Sequence, residues 1–386
     1  MKNIFRKGLA LLMVLGLLIP LFGLSVFAAD TPIDYQFTEV KESSISSSLK
    51  GISNDPFSAL QWNLKVIGME EAWRSGLTGK GVVVAIVDSG LSDMTMDIDK
   101  GRILPGKNCV GGTGVTDTIG HGTFIAGIIG ATKDNLVGVA GIAPGVTIAP
   151  IKSYASSETD YAAQAAGIYA AVDEYHCNIL NISAGDPEIV PEVHAAIQHA
   201  LDEGVIVIAA AGNSGDEELL YPASYDGVIS VSSVDKDLVR SATSNKNDHV
   251  FVAAPGVGVY SLGRLPGTVT LSSGTSFAAP VVAGVAALLK EAWPQMTAND
   301  FREILKNSCK DLSTKGYDIY YGWGLVQAPD AIRAAAEYFG DEAPDMSAPD
   351  NPSSSWSDFF SFNWLRELFQ NIIRNLFKGW ATNLTF

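Results

Sequence analysis

The sequence predicts an α/β protein: a three-layer sandwich in which a mostly parallel central sheet carries helices on both of its faces. Two observations support this prediction. Short runs rich in β-branched residues recur along the chain and have the length of buried strands. Segments in which apolar residues follow helical spacing lie between these runs. Repeated alternation of strand and helix is typical of parallel sheets that are covered on both faces.

The predicted elements alternate along the chain. The strands are Val82–Val87, Val146–Ile151, Asn178–Ile182, Val205–Ala210 and Val228–Val231, and the helices between them are Tyr161–Glu174 and Glu192–Glu203. Ser276–Trp293 is a helix of a different kind, because nearly all of its residues are apolar. Such a helix must be buried, and Pro294 marks its end. A buried helix that begins with a serine favours a functional role for that serine.

Composition divides the 386 residues into five segments. Residues 1–29 have a basic start, a long apolar run and small residues at a cleavage site, and are predicted to be a secretory signal peptide. The alternative is an uncleaved membrane anchor, because the apolar run approaches the length that spans a bilayer. Residues 30–53 are a short Ser-rich tail, 54–340 the folded domain, 341–358 a linker, and 359–386 an amphipathic helix.

The C-terminal segment 359–386 places aromatic and aliphatic residues at helical spacing, with Arg and Lys on other faces. This pattern is typical of a helix that lies at a membrane or envelope surface. Docking of the same helix on its own domain or on a second copy stays an open alternative. We therefore expect a secreted or extracytoplasmic protein, either released or held at a surface.

Charge and cysteine content exclude several classes of protein. The formal net charge is −16, which argues against nucleic-acid binding because phosphates attract basic surfaces. The three cysteines, Cys109, Cys177 and Cys309, are widely spaced and do not form a disulfide framework. One bridge between two of them stays open, and no Cys/His spacing typical of a zinc site occurs.

Three glycine-rich motifs contain an Asp, a His and a Ser, in that order. Asp88 follows a predicted buried strand, so its carboxylate lies at the carboxyl end of the sheet, where open α/β sheets bind ligands. His121 stands between two glycines at a predicted helix start, and Ser276 begins the apolar helix. A serine hydroxyl becomes a nucleophile when a histidine accepts its proton and a carboxylate orients that histidine. The three residues therefore predict nucleophilic acyl transfer.

Asn213 provides a fourth element of the same chemistry. It follows a predicted strand that ends in small residues, and its amide could donate to the oxyanion of a tetrahedral intermediate. The backbone N–H of Ser276 would be the second donor. Each motif alone has an ordinary explanation, such as a turn or a helix cap. The occurrence of all four in one α/β pattern favours catalysis.

Residues 54–340 resemble the subtilisin-like serine proteases, the subtilases. The motifs that carry the resemblance are Val84–Gly90, His121–Thr123, Gly138–Pro144, Ala209–Gly215, Gly274–Pro280 and Tyr320–Gly324. The resemblance implies a subtilisin-like fold, a peptide bond as the substrate, an acyl-enzyme intermediate and no catalytic cofactor. It assigns the roles of nucleophile, base, orienting carboxylate and oxyanion donor to Ser276, His121, Asp88 and Asn213.

The resemblance also implies residues that bind a polypeptide substrate. They are Ser183, Ala184, Gly185, Ala210, Ala211, Gly212 and Leu220. Ser183–Gly185 match a strand that pairs with the peptide backbone. Ala210–Gly212 match a wall of the pocket for the residue before the scissile bond, and Leu220 matches the floor of that pocket. Asp186, Glu217 and Glu218 lie nearby in sequence. A preference for basic substrates and ordinary solvated loop acids are both open explanations of these acids.

A structural Ca²⁺ near the amino-terminus is a further implication of the resemblance. The matching residues are Asp55, Asp97, Thr132, Asn135, Val137 and Val139. Oxygen ligands from separate segments suit Ca²⁺. The alternative is that Asp55 merely begins a turn before Pro56.

The sequence departs from the family in three places. Phe124 stands where a second histidine is common, and Ser89 where Thr is commoner. Secreted subtilases usually carry a folded pro-domain, and residues 30–53 are too few for one. We therefore expect either unaided folding, with help from calcium, or a folding partner that acts in trans. The alternative to an enzyme is a catalytically silent binding or regulatory protein on the same scaffold.

Overall fold

A computed structural model of the protein describes residues 36–41, 51–156 and 160–347. The predicted signal peptide at 1–29 and the predicted helix at 359–386 lie outside these residues, as does most of the Ser-rich tail and of the linker. Contacts between residues divide the chain into two units, 1–344 and 345–386.

Two sheets organise the described residues. The strands are β1 Thr38–Val40, β2 Val83–Asp88, β3 Lys107–Asn108, β4 Thr147–Lys152, β5 Ile179–Ile182, β6 Ile206–Ala210, β7 Ile229–Val234, β8 Val250–Pro255, β9 Val259–Leu262 and β10 Val269–Ser272. Seven of them form a parallel sheet in the order β3-β4-β2-β5-β6-β7-β8, and the other three form an antiparallel sheet in the order β1-β10-β9. The five predicted strands are all present, with slightly different ends.

Helices cover both faces of the parallel sheet. The helices are α1 Trp62–Val66, α2 Met69–Ala72, α3 His121–Gly130, α4 Tyr161–Asp173, α5 Pro191–Asp202, α6 Thr275–Ala292, α7 Ala298–Ser308 and α8 Ala328–Phe339. Helices α4 and α5 pack together on one face, where Ala85 and Val87 of β2 join their core. Helices α3 and α6 pack together on the other face. This arrangement confirms the predicted three-layer α/β sandwich.

Strand β2 lies at the point where the order in which strands are added to the sheet reverses. After β2 the chain builds β3 and β4 on one side of it, then crosses to add β5 on the other side. The loops that leave such neighbouring strands separate and open a crevice at their carboxyl ends, where ligands bind in open α/β sheets. Asp88 is the last residue of β2, so the fold itself carries this carboxylate to the crevice.

Helix α6 is buried along most of its length, as its composition predicts. Every residue from Thr275 to Leu289 is buried. Within the described residues α6 is the one helix that is long and apolar enough to cross a membrane, yet 83% of it lies inside the protein. It is therefore a core helix.

The antiparallel sheet was not predicted from the sequence. Strand β1, from within the Ser-rich segment, pairs with the free edge of the hairpin formed by β9 and β10. The ring of Phe37 lies 5.6 Å from that of Phe124 and 6.3 Å from that of Phe277. Residues 36–41 are thus part of the fold, whereas the predicted tail residues Ser43–Ser48 lie outside the described part of the chain.

Candidate active site

Asp88 and His121 form a fully buried pair at the carboxyl end of β2. Nδ1 of His121 lies 2.9 Å from each carboxylate oxygen of Asp88, and both side chains are 0% exposed. The backbone N–H of Ser89 donates to Asp88 Oδ1 at 2.7 Å. A carboxylate facing Nδ1 favours the tautomer that carries its proton there, which leaves Nε2 as the basic nitrogen.

Helix α3 begins directly against the end of β2. A Cβ at Gly122 would lie 2.2 Å from the carbonyl oxygen of Gly90, so only glycine allows this approach. Gly120 precedes the helix with a φ of 105°, in the left-handed region that glycine adopts without strain. The glycines on either side of His121 therefore bring its ring to the carboxylate at the end of β2.

Asp117 supports this approach and was not singled out from the sequence. Its Oδ1 accepts the hydroxyl of Ser89 and the backbone N–H groups of Ile119 and Gly120. Its Oδ2 accepts both the backbone N–H and the hydroxyl of Thr123. The Ser89 hydroxyl in turn accepts the N–H of Gly122. Asp117 therefore connects the end of β2 to the first turn of α3, and Ser89 is part of that connection.

Ser276 is the second residue of α6, and it forms two hydrogen bonds with Ser183. The Ser276 hydroxyl donates to the carbonyl of Ser183 at 3.0 Å, and the Ser183 hydroxyl donates to the carbonyl of Ser276 at 2.9 Å. In a regular helix the N–H of residue 280 would bond to that carbonyl, but Pro280 has no N–H. Ser183 therefore satisfies an acceptor that Pro280 leaves open, and it ties α6 to the segment that follows β5.

The amino-terminal ends of α3 and α6 meet on one face of the sheet. The ring of Phe277, the residue after Ser276, lies 5.4 Å from the imidazole of His121, and the two helices pack against each other. Ser276 is 1% exposed. Free N–H groups and the helix dipole at the start of α6 stabilise negative charge on the serine side of this junction.

Asn213 is oriented by the residue before Ser276. Its Oδ1 accepts the backbone N–H of Thr275 at 2.9 Å and the Thr275 hydroxyl at 3.1 Å. Because a backbone N–H can only donate, the oxygen of the carboxamide must face Thr275. The N–H₂ group is then the end available to an acceptor elsewhere. The Thr275 hydroxyl also bonds to both the N–H and the carbonyl of Gly212.

Two of the predicted substrate-binding residues, Ser183 and Gly212, lie beside the start of α6. Ser183 contacts Ser276 directly, and Gly212 with its neighbours Ala210 and Ala211 adjoins Thr275 through the bonds just described. A Cβ at Gly185 would lie 2.9 Å from side-chain carbons of Leu220, so these two residues are in close contact. Ser183, which follows β5, and Gly212, which follows β6, thus both bond to the first residues of α6.

The nearby acids have structural partners or face solvent. The Asp186 carboxylate accepts the hydroxyl of Tyr161 and the N–H of Glu188. Glu217 and Glu218 are exposed. These contacts favour the solvated or structural explanation over a pocket for basic residues.

Tyr154 is a neighbour of the buried pair that sequence reasoning missed. Its hydroxyl lies 2.8 Å from Asp88 Oδ1 and 2.9 Å from His121 Nδ1. It also lines a cavity of about 550 Å³. The other lining residues are Val110, Ala155, Ser156, Asp160, Tyr161, Ala162 and Glu192. No sequence motif surrounds Tyr154. Its position beside the pair becomes evident only from the pairing of β2 with β4, two strands that are distant in the sequence.

The residues predicted to bind calcium lie together near the loop 132–139. Asp55 and Asp97 are 3% and 2% exposed, and burial raises the pKa of Asp97 to about 7. Asp97 accepts the N–H of Val139 and the Nδ2 of Asn135, each at 2.8 Å. Asp55 accepts the N–H groups of Asp134 and Asn135. Carboxylate and amide oxygens in this cluster are the donor type that fits Ca²⁺.

The loop nevertheless turns several of its N–H groups, and not its carbonyls, toward the two carboxylates. Thr132 likewise donates its N–H to the carbonyl of Asp97, and its hydroxyl accepts a bond from the Arg102 guanidinium. In the described part of the chain no cluster of three or more His, Cys, Asp or Glu side chains could hold a metal. Asp55 and Asp97 are the buried carboxylates at this loop.

The three cysteines do not pair. Cys109, Cys177 and Cys309 are all free thiols, which resolves the question of a single bridge. Burial raises the pKa of Cys177 to about 12, so this thiol stays protonated and packs as an apolar group in the core.

Comparison with known proteins gives a family match for the same region. The model of the subtilase family matches residues 79–324. The chain is 37% identical over 284 residues to the minor extracellular protease Epr of Bacillus subtilis (strain 168), which covers 72% of this chain and 43% of that protein. It is 36% identical over 282 residues to subtilisin DY of Bacillus licheniformis, which covers 72% of this chain and 98% of that protein. The chain thus spans less than half of Epr and nearly all of subtilisin DY.

Solved structures agree with this match. Fervidolysin from Fervidobacterium pennivorans, described as a keratinolytic enzyme related to subtilisin, aligns with a TM-score of 0.68 at 27% identity, over 77% of this chain and 50% of that one. A protease from Pseudoalteromonas arctica PAMC 21717 aligns with a TM-score of 0.68 at 29% identity, over 74% of this chain and 100% of that one.

Proposed function

Since this chain belongs to the subtilase family of serine proteases, we propose that it hydrolyses peptide bonds within polypeptides through Ser276, His121 and Asp88. The observation that carries the proposal is the buried contact between His121 and Asp88 beside the amino-terminus of α6, where Ser276 lies. The Asp–His–Ser order along the chain is that of subtilisin and differs from the order in chymotrypsin.

The proposed reaction begins when His121 Nε2 accepts the proton of the Ser276 hydroxyl. The hydroxyl oxygen attacks the substrate carbonyl, and the resulting tetrahedral intermediate carries its negative charge on the former carbonyl oxygen. His121 then gives the proton to the leaving amine, the C–N bond breaks, and an acyl-enzyme forms on Ser276. A water molecule, deprotonated by His121, releases the acid product and restores the serine. Asp88 keeps Nδ1 protonated throughout.

The proposed oxyanion donors are Asn213 and the backbone N–H of Ser276. The orientation of the carboxamide supports this role, because Thr275 engages its oxygen and leaves its N–H₂ group as the donor. Removal of the corresponding asparagine in subtilisin costs about 10²–10³ in turnover, a value measured for that enzyme.

We further propose that the substrate backbone adds as a strand beside Ser183–Gly185, with Ala210–Gly212 and Leu220 around the side chain before the scissile bond. Main-chain pairing of this kind gives affinity with little sequence preference, whereas the pocket selects the side chain. The half-buried Leu220 in contact with Gly185 supports a shallow pocket.

Labelling of Ser276 by a serine-directed fluorophosphonate tests the catalytic proposal. We expect labelling of the full chain, its loss in Ser276→Ala, and its retention in the matched control Ser273→Ala, which removes an exposed hydroxyl three residues earlier. Correctly folded protein without labelling would instead support the silent binding or regulatory scaffold. Cleavage sites in a peptide library, compared with Ser276→Ala, define the specificity.

A second part of the proposal is a structural Ca²⁺ at Asp55 and Asp97. Asn135 and the backbone oxygens of Thr132, Val137 and Val139 would complete its oxygen ligands. The cation would neutralise two buried carboxylates and hold the loop 132–139 to the domain. The burial of both aspartates against the loop 132–139 supports this part; the N–H groups already directed at them weigh against it.

We also propose that the protein is secreted. The basic and apolar start of the chain supports export, and Epr, one of its relatives, is named an extracellular protease. Sequencing of the amino-terminus of the exported protein tests cleavage after residue 28 or 29, and retention of Lys2 would contradict it. Contact of segment 359–386 with a membrane or envelope surface stays a prediction, tested by vesicle binding with and without that segment. A folding partner in trans also stays a prediction.

A further inference from the structure

Tyr154 reaches the buried Asp–His pair because of how β2 and β4 are paired. The register places Asp88 opposite Lys152 at the ends of the two strands. Pairing continues one residue further, since the N–H of Ser153 donates to the carbonyl of Asp88 at 2.8 Å. The next residue is Tyr154. Its backbone position is therefore set by the same ladder that sets the position of Asp88.

Besides the histidine, the hydroxyl of Tyr154 is the side-chain donor of the described residues that contacts the Asp88 carboxylate. It donates to Oδ1 at 2.8 Å, and its oxygen lies 2.9 Å from His121 Nδ1. A phenol has one O–H donor and two lone pairs. It can donate to the carboxylate and also accept part of the Nδ1–H bond, so one group contacts both members of the pair.

A fully buried carboxylate depends on donors, because it has lost its water. Asp88 is 0% exposed, and Ser89, His121 and Tyr154 are the described residues that direct donors at its oxygens. Hydrogen bonds to charged groups contribute about 1.5–3 kcal/mol each, more than neutral ones. Loss of one donor therefore changes both how firmly the carboxylate is held and how much of its charge acts on the imidazole.

We propose that Tyr154 is a positioning residue for the catalytic pair: its hydroxyl holds the Asp88 carboxylate against His121 and draws part of the carboxylate charge away from the imidazole. The inference rests on the proposed function of these two residues. Tyr154 acts through Asp88 and His121 and takes no proton from the substrate. It sets the orientation of the imidazole and the pH range in which His121 is a base.

The titratable groups around the imidazole can be named from the elements packed against it. Within the described residues, Asp88 lies at the end of β2, Tyr154 follows β4, and Asp117 precedes α3. The Asp117 carboxylate bonds to Ser89, the loop and Thr123, and not to the ring. The effect of Tyr154 on His121 therefore passes both through Asp88 and through the direct contact of its hydroxyl with Nδ1.

The test compares Tyr154→Phe with the wild type. The substitution removes one hydroxyl and keeps the ring that lines the cavity. We expect kcat to fall about tenfold while KM stays within about twofold. We also expect the acid limb of the kcat/KM profile to move to higher pH by roughly half a unit, because the carboxylate then acts more strongly on the imidazolium. Tyr154→Leu, which also removes the ring, should show the same fall in kcat and a raised KM.

Two further measurements separate the alternatives. Tyr169→Phe removes the hydroxyl of a partly exposed tyrosine in α4 and should match the wild type in every parameter. In the Ser276→Ala background, NMR of labelled histidine should show His121 titrating at higher pH in Tyr154→Phe than with Tyr154. This readout needs no activity, so it tests Tyr154 even when fluorophosphonate labelling rejects the proposed function. Unchanged kcat and pH limb, a change confined to KM, or an unchanged NMR titration would each overturn the proposal.

Discussion

Asp88 and Asp97 are both buried aspartates, yet different groups surround them. Asp88 meets the imidazole of His121 and the phenol of Tyr154 at the carboxyl end of the sheet. Asp97 meets a backbone N–H and the amide of Asn135 in a loop. Burial is nearly complete for both, at 0% and 2% exposure. The identity of the donors therefore separates the two carboxylates, and burial does not.

The difference follows from where the two residues lie in the fold. The end of β2 opens into the crevice where the ends of α3 and α6 meet, so a carboxylate there can orient a group that faces a substrate. The Asp97 carboxylate accepts bonds from Asn135 and Val139 of a surface loop, and these bonds hold the loop to the domain. The same residue type thus serves a proposed chemical step in one region and local stability in the other.

The largest expected effect comes from Asp88→Asn. The amide keeps the shape but can present N–H₂ to Nδ1, which favours the wrong tautomer of His121. We expect kcat to fall about 10⁴-fold, the size measured for the same change in chymotrypsin-like enzymes. The unfolding free energy should change far less than activity. Asp97→Asn is the matched control and should keep kcat within about twofold at a temperature where it is folded. A loss below tenfold in Asp88→Asn would remove the distinction between the two aspartates.

Asp117→Asn tests whether one buried aspartate supports both the proposed catalysis and the stability of the fold. Asp117 is 2% exposed and accepts bonds from Ser89, Ile119, Gly120 and Thr123. Asparagine would turn an N–H₂ group toward some of these donors whichever way it rotates. We expect a loss of about 3 kcal/mol in unfolding free energy and a fall of roughly 10–100-fold in kcat, because α3 would carry His121 out of position. Urea unfolding and kinetics on the same sample measure both. A stability loss without a loss of kcat would group Asp117 with Asp97.

The sequence predicts the parts of the site that local patterns define. Asp88 ends a β-branched run, His121 begins a helix between two glycines, and Ser276 begins a helix without a polar face. Each of these signals lies within a few residues. Tyr154 and Asp117 lie in connecting segments, where periodicity carries no information. Their roles depend on the pairing of β2 with β4 and on the approach of α3 to β2, which are contacts between distant parts of the chain.

Other elements of the fold were also not predicted from the sequence. Helix α7 begins with a capping box formed by Thr297 and Asp300, a pattern that is visible in the sequence at a helix start. Strand β1 pairs with β10, more than two hundred residues later, and its three residues carry too little pattern to predict. Near the loop 132–139 the buried aspartates could be singled out from the sequence, whereas the direction of the N–H groups toward Asp55 and Asp97 depends on the loop conformation.

Removal of Ca²⁺ tests whether the buried Asp97 contributes to stability through a bound cation. If the proposed cation is bound by Asp55 and Asp97, chelation should lower the unfolding temperature of the wild type by several degrees, because a ligand that binds the folded state stabilises it. The same chelation should have little effect on Asp97→Asn, since one of the two carboxylates is gone. Differential scanning fluorimetry with added Ca²⁺ or EDTA measures the difference between the variants. Equal responses, or none in the wild type, would show that the N–H groups of the loop satisfy these carboxylates without a cation.

The smallest expected effect comes from acids that are exposed. Glu217 and Glu218 lie in the segment after Asn213, and both are exposed. Exposed charges interact weakly through water, typically below about 1 kcal/mol. We therefore expect the double variant Glu217→Gln, Glu218→Gln to cleave substrates with Lys or Arg before the scissile bond within about twofold of the wild-type rate. A peptide library profiled with both proteins measures the change. A specific loss of cleavage after basic residues would mean that exposed acids also select the substrate. The distinction by hydrogen-bond donors would then apply only to the buried aspartates.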